Sequence, residues 1–436
     1  MSVVPTHPRS ADRTALVRIA ERDGSIDAVR ALSLLVVVML HALMAGAGRA
    51  PDGGLTASVA MAGEGWFVPV SWVVQVMPLF FIAGGFAGLH QWRRMQGRGD
   101  SAADYVRVRA MRLILPAAVM IGLSGLVLAG ASAAGADGEL VAEAGRRITQ
   151  PLWFLAVYLG VTSLVPVMAR LHERHRALTL AVLAAAVLGT DLLRMHTDLP
   201  VGYLGLGLVW PLMQQLGFLM HDGACAPRSA GGRWTPAMLL TGAGLATGGL
   251  AALVSCGWPA DMLVNLNPPT AALALLGVVQ FFLLQLARPA LDRWMRRPRP
   301  AGAVRAAGAH AMTVYLWHMP VVLLLVAVLW VTGMPLPDPH TAAWWATRLP
   351  WLAAVCALVV PAALLLAGIE RGSRRAQAGR AAAPGARLAA RTALAVLCGI
   401  AGVTLALLAG AADLSAVICA EALLAASAGL SAGRGR

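Results

Sequence analysis

Residues 27–46 read DAVRALSLLVVVMLHALMAG. An apolar run of this length is what a helix needs to cross roughly 30 Å of hydrocarbon, about 20 residues at 1.5 Å each. Two ionisable side chains interrupt it, Arg30 near the start and His41 deep inside. At about 100° per residue, their separation brings the second side chain back to within about 20° of the first, some 16 Å further along the same stripe. The spacing predicts a guanidinium near one membrane interface and an imidazole near mid-depth. Ionisable groups within a bilayer are costly, so such a pair points to a functional site.

Composition agrees with the membrane reading. Of 436 residues, 58% are hydrophobic and 13% charged, far from the make-up of a soluble domain. The expected fold is all-α, a polytopic bundle of about 11 transmembrane helices (10 to 12). Apolar runs lie near 27–46, 66–89, 111–131, 151–169, 177–194, 201–220, 236–255, 270–287, 308–330, 348–369 and 391–410, with a shorter one at 414–431. They are too long and too unalternating for barrel strands. The net charge of +14 comes from arginine alone among the basic residues, as expected of a GC-rich bacterial genome. These arginines sit in short gaps between the runs rather than on one face, which argues against a nucleic-acid partner.

Every second gap is basic. Arg93, Arg94, Arg98, Arg107 and Arg109 fill one, Arg170, Arg174 and Arg176 another, and Arg288 to Arg305 a third, while the gaps between them are poor in arginine. The positive-inside rule then places the N-terminus in the cytoplasm of a bacterial cytoplasmic membrane. Residues 1–26 are expected to be a disordered cytoplasmic tail, 27–370 the main membrane domain, 371–390 a basic cytoplasmic loop, and 391–436 an additional helix or hairpin. The five cysteines show no short spacing, so neither a disulfide framework nor a metal site is expected.

This orientation gives the polar residues addresses. Arg30 lies at the cytoplasmic mouth of the first helix, where Asp27, three residues earlier, can pair with it. Arg109 and Arg112 share a face at the start of the third helix, ahead of Pro116, where a kink is permitted. Clustered guanidinium groups suit a phosphate-bearing ligand, although topology alone also explains loop arginines. The loop histidines His172, His175 and His221 are expected to be solvated. Gly84, Gly85 and Gly88 are expected to allow close helix packing.

Taken in order, these residues resemble acyltransferase family 3, membrane-bound enzymes that acylate sugars, surface polymers and some secondary metabolites. The resemblance is carried by Arg30 and His41, FFIAGGF at 80–86, Arg109 and Arg112 before Pro116, PLWFLAVYL at 151–159, TVYLWHMP at 313–320, and Glu370. It implies transfer of an acyl group, acetyl or another short one, from cytoplasmic acyl-CoA to a hydroxyl of a glycan, glycolipid or secondary metabolite. It also implies that Arg30 and His41 are essential and that no permanently bound cofactor is needed. The chain departs from the family where Gly84 replaces the usual serine, and residues beyond about 390 lie outside the usual ten-helix core.

The chemistry fits that resemblance independently. O-acyl transfer needs a base for the hydroxyl proton, and a histidine desolvated in a bundle favours the neutral, competent form. His41 is the candidate, by direct transfer or through an acyl-histidine. Arg30, Arg109, Arg112 and Asp27 form the expected donor end. His318 and Tyr315 in the ninth helix are candidates for a second wall of the site, or for an interhelical hydrogen bond. Trp153 suits either sugar stacking or an interfacial belt, and Glu370 an ion pair with Arg371. The rival reading is a secondary transporter relaying protons through His41, although no repeat of the first-helix pattern occurs in the second half. A sensor or scaffold using its polar residues for helix association is a third.

Overall fold

The computed structural model describes residues 23–49, 54–61, 63–377 and 386–432. Helix α1 (Gly24–Met44) begins at Asp23, whose carboxylate accepts the Ile26 amide proton at 3.2 Å. The helix stops earlier than the apolar run suggests. Ala45 turns extended, and Ala45–Arg49 pairs antiparallel with Leu55–Val59 in a two-stranded hairpin. His41 therefore lies in the last turn of α1 rather than midway along it. Small residues allow this change of state, because Ala-Gly-Ala-Gly neither holds a helix nor hinders a tight strand pair.

The remaining helices are α2 (Phe67–Val74), α3 (Met77–Gln96), α4 (Ala102–Ala133), α5 (Gly138–Thr149), α6 (Leu152–Ser163), α7 (Val165–His196), α8 (Gly205–His221), α9 (Pro236–Ser255), α10 (Ala271–Met295), α11 (Pro298–Val331), α12 (Ala342–Gln377), α13 (Ala386–Ala409) and α14 (Leu414–Ser431). Among the described residues, eleven helices are long and apolar enough to cross a membrane. The protein is a multi-pass membrane bundle. Pro116 is accommodated inside α4, and α12 runs on to Gln377, past the boundary expected at 370.

The gaps between helices collect at two ends. At one, Arg93 bonds Glu173 at 3.2 Å and Asp222, and Arg288 bonds Asp23. Arg288 also covers the Phe86 ring, which touches His221. At the other, Trp72 Nε1 donates to the Ala260 carbonyl, Arg147 to the Ser58 carbonyl, and the Ala411 amide to the Gly145 carbonyl. The first end gathers arginine-rich gaps, the second arginine-poor ones. Within α7, His175 is non-helical (φ −142°, ψ 47°). Glu173 lies at the first end and Asp191, bonded to Trp258, at the second. Residues 152–173 thus cross once and the part of α7 after His175 crosses back. In this way α7 takes in parts of two of the expected runs.

Two polar devices hold this frame. Asp191 is buried and accepts both Trp258 Nε1–H and the Ala271 amide at 2.7 Å, tying the end of α7 to the start of α10. Asp191→Ala orphans two buried donors and is expected to cost about 3 kcal/mol, read as a lowered unfolding temperature in detergent. His172, expected to be solvated, is instead buried and bonds Gln215 at 2.7 Å. Its position beside the apolar Phe218 ring shows why loop proximity misleads: α8 packs over it.

Candidate active site

The site begins with a chain of three polar groups. His318 in α11 is fully buried, and its Nδ1 lies 2.6 Å from the Tyr315 carbonyl oxygen. A carbonyl only accepts, so His318 Nδ1 carries the proton and a neutral His318 offers the lone pair of Nε2. That Nε2 lies 2.8 Å from His41 Nδ1, with the rings parallel to within 8°. His41 Nδ1 must then be the donor, and the lone pair of a neutral His41 is left on Nε2. The backbone of one helix thus sets the tautomer of a histidine on another.

His41 lines a cavity of about 1030 Å³. Asp27, Arg30, Arg109, Arg112, Trp153 and Tyr315 line the same space. The structure therefore brings seven of the nine sequence candidates to one cavity. His318 stands behind His41 as its hydrogen-bond partner. The Glu370 side chain lies outside the described residues.

Each wall has a local cause. Ser101 and Asp104 cap α4 reciprocally, which sets the start of the helix that carries Arg109 and Arg112. Arg109 packs its guanidinium 5.6 Å from the Tyr105 ring centre. The Nε atoms of Arg30 and Arg109 are buried without a hydrogen-bond partner. Buried guanidinium nitrogens of this kind are costly unless a ligand satisfies them. No ion pair joins Asp27 to Arg30 among the described residues, contrary to the expectation from their spacing.

Tyr315 is positioned differently from an acceptor-binding hydroxyl. It donates its own proton to the Pro151 carbonyl at 2.5 Å, fastening α11 to the start of α6. Its ring meets Phe154, whose ring stacks on Tyr158. Trp153, beside Phe154, faces the cavity from the arginine-poor end.

Sequence reasoning passed over Arg147, Gln150 and Tyr158, which also line the cavity. Arg147 is held by Glu143 at 2.6 Å. Burial alone would raise the Glu143 carboxyl, but hydrogen bonds from Arg147 and Arg146 outweigh it and hold the group below the ordinary carboxylate range. The RRITQPLWF stretch carried the signal, because two arginines in an otherwise poor gap need partners. Tyr158 answers the question raised by Gly84: a Cβ there would sit 3.3 Å from the Tyr158 ring.

A family model described as an acyltransferase domain matches residues 23–368. The chain belongs to acyltransferase family 3. Comparison with curated proteins and with solved structures gives no match. The matched region of this acyltransferase contains the histidine pair, all three arginines of the cavity's basic end and the Tyr315 anchor. It stops short of α13 and α14.

Proposed function

We propose that this member of the family is an O-acyltransferase that takes an acyl group from cytoplasmic acyl-CoA and passes it to a hydroxyl-bearing acceptor, with His41 as base. The supporting observation is the Tyr315 carbonyl–His318–His41 chain, which leaves an acceptor lone pair on His41 Nε2. The hydroxyl oxygen attacks the thioester carbonyl carbon while its proton moves to Nε2. The carbon–sulfur bond then breaks, and the imidazolium returns the proton to the leaving thiolate. His318 holds the imidazolium through the same hydrogen bond. An acyl-imidazole would form at the same nitrogen, and a burst of CoA release without acceptor distinguishes it.

In this reading the arginine-rich end faces the cytoplasm, with Asp23 and the N-terminus on that side. Arg30, Arg109 and Arg112 receive the phosphates of CoA, the orphaned Nε atoms supplying directed donors. The acceptor is a glycan, a glycolipid or a secondary metabolite that enters past Trp153. The bacterial cytoplasmic membrane is the setting.

The test is release of free thiol from acyl-CoA by protein in lipid nanodiscs, with a membrane extract supplying acceptors. Arg109→Leu is expected to raise KM for acyl-CoA by about 10–100-fold, the worth of one charge-assisted hydrogen-bond partner, with a smaller change in kcat. No thiol release, or an unaltered KM, would overturn the assignment.

A further inference from the structure

The family match ends at residue 368, yet the cavity does not end with it. Ile400, Thr404, Leu407 and Leu408, all on α13, form part of its wall. Ile400 faces α6 at Gly160, where an added Cβ would lie 3.6 Å from Ile400 Cδ1, and Val161 and Leu164 line the same cavity.

The hairpin of α13 and α14 is built into the bundle. Gly399 brings α13 so close to α4 and α6 that a Cβ would sit 2.8 Å from Ile114 Cδ1 and 3.1 Å from Leu159 Cδ2. Gly125 does the same for α14 against Val417, at 2.9 Å. The Ala411 amide bonds the Gly145 carbonyl at 3.2 Å, and within the hairpin Ser427 of α14 donates to the Ala395 carbonyl of α13 at 2.5 Å. A wall seated by backbone bonds and glycine contacts keeps a defined shape.

This limb of the cavity is apolar, Thr404 apart. A sugar placed there would lose hydrogen bonds to water without replacement, which disfavours it. An alkyl chain gains with every buried methylene. The limb is continuous with the space that holds Arg30, Arg109 and His41. Ring contacts run from Tyr315, whose carbonyl holds His318, through Phe154 to Tyr158, two residues before Gly160. With CoA at the arginines and the thioester at His41, the acyl chain has this limb ahead of it. Leu164 and Leu408 are 40% and 78% exposed, so the limb reaches the lipid-facing surface and leaves room for length.

We propose that the C-terminal hairpin turns this site into an acyl-chain tunnel, so that the preferred donors carry alkyl chains well beyond acetyl. The inference rests on acyl-CoA being the donor. It assigns residues outside the matched region, Ile400 and Leu407 above all, to chain-length selection.

The experiment is competition of CoA, acetyl-CoA, hexanoyl-CoA and decanoyl-CoA against radiolabelled CoA on the full chain in nanodiscs. Affinity is expected to climb about fourfold per added methylene until the limb is filled. Ile400→Trp is expected to flatten the climb, read as the ratio of decanoyl-CoA to CoA affinity within one preparation, which cancels the folded fraction. Leu397→Trp, on the same helix and 63% exposed, is expected to leave that ratio unchanged. Equal affinity across the series with CoA still bound would overturn the tunnel while leaving the donor, and would give the limb to the hydrocarbon anchor of a lipid-borne acceptor. A climb indifferent to Ile400→Trp would overturn the hairpin's part in it. No binding of CoA at all would defeat the donor reading itself.

Discussion

Acyl transfer falls by about 10²–10⁴-fold in His41→Ala, the range that a positioned base contributes. The protein stays in the membrane at normal abundance, because His41 contributes a rim of the cavity and one hydrogen bond rather than core packing. His318→Phe fills the space behind it but removes the acceptor for His41 Nδ1–H. The proton of neutral His41 is then no longer directed, and on the order of 10–100-fold is expected to be lost, as when outer-shell partners of ligating histidines are removed. Activity in membranes, normalised to protein by immunoblot, checks both. Retained turnover in His41→Ala sinks the base, and equal turnover of His318→Phe and wild type sinks the tautomer argument. A transporter or scaffold reading predicts a different pattern, with His41→Ala changing flux or abundance rather than thiol release.

Gly217→Val is expected to be the most damaging change to the fold. A Cβ on residue 217 would sit 2.7 Å from the Phe86 amide nitrogen and 3.0 Å from the Gly85 Cα, both backbone atoms that no rotamer moves aside. Across the same contact, a Cβ on Gly85 would meet the Gln214 Cα at 2.9 Å. Helices α3 and α8 therefore touch main chain to main chain, the close approach that small residues permit in membranes. Separating them costs about 3 kcal/mol or more. It would also shift the Arg93–Asp222 pair at the end of both helices. Thermal unfolding and size-exclusion in detergent read the loss. Gly244→Ala, where nothing lies within 4 Å of the added atom, is expected to change the midpoint little. A Gly217→Val protein that unfolds like wild type would show that the two helices separate freely.

The fold class was legible because it depends on local properties. A run such as 27–46 must be helical in lipid, whatever it packs against, since its backbone has no other partners there. The alternation of basic gaps was legible for the same reason, and the two ends of the bundle sort the gaps as the arginines do. The turn at His175, flagged by Arg170, Arg174 and Arg176, belongs to this class. The stop of α1 at Met44 was less so, because AGAG is compatible with several backbone states and only the pairing with Leu55–Val59 selects one.

By itself, then, the sequence determined a polytopic helical membrane protein, two polar residues on one stripe of its first helix, and the order of motifs that marks the family. Helical periodicity places Arg30 and His41 on one face without any neighbour. The tertiary structure alone decided what His41 is for. Its Nδ1 partner comes from 277 positions away on α11, and the Tyr315 carbonyl that orients that partner belongs to α11 as well, not to the helix of His41. It alone brought α13 into the cavity wall and buried His172. Which residues meet across such distances depends on how helices pack, through glycine contacts like Gly85 with Gly217, and packing is a property of pairs of surfaces that no single segment contains.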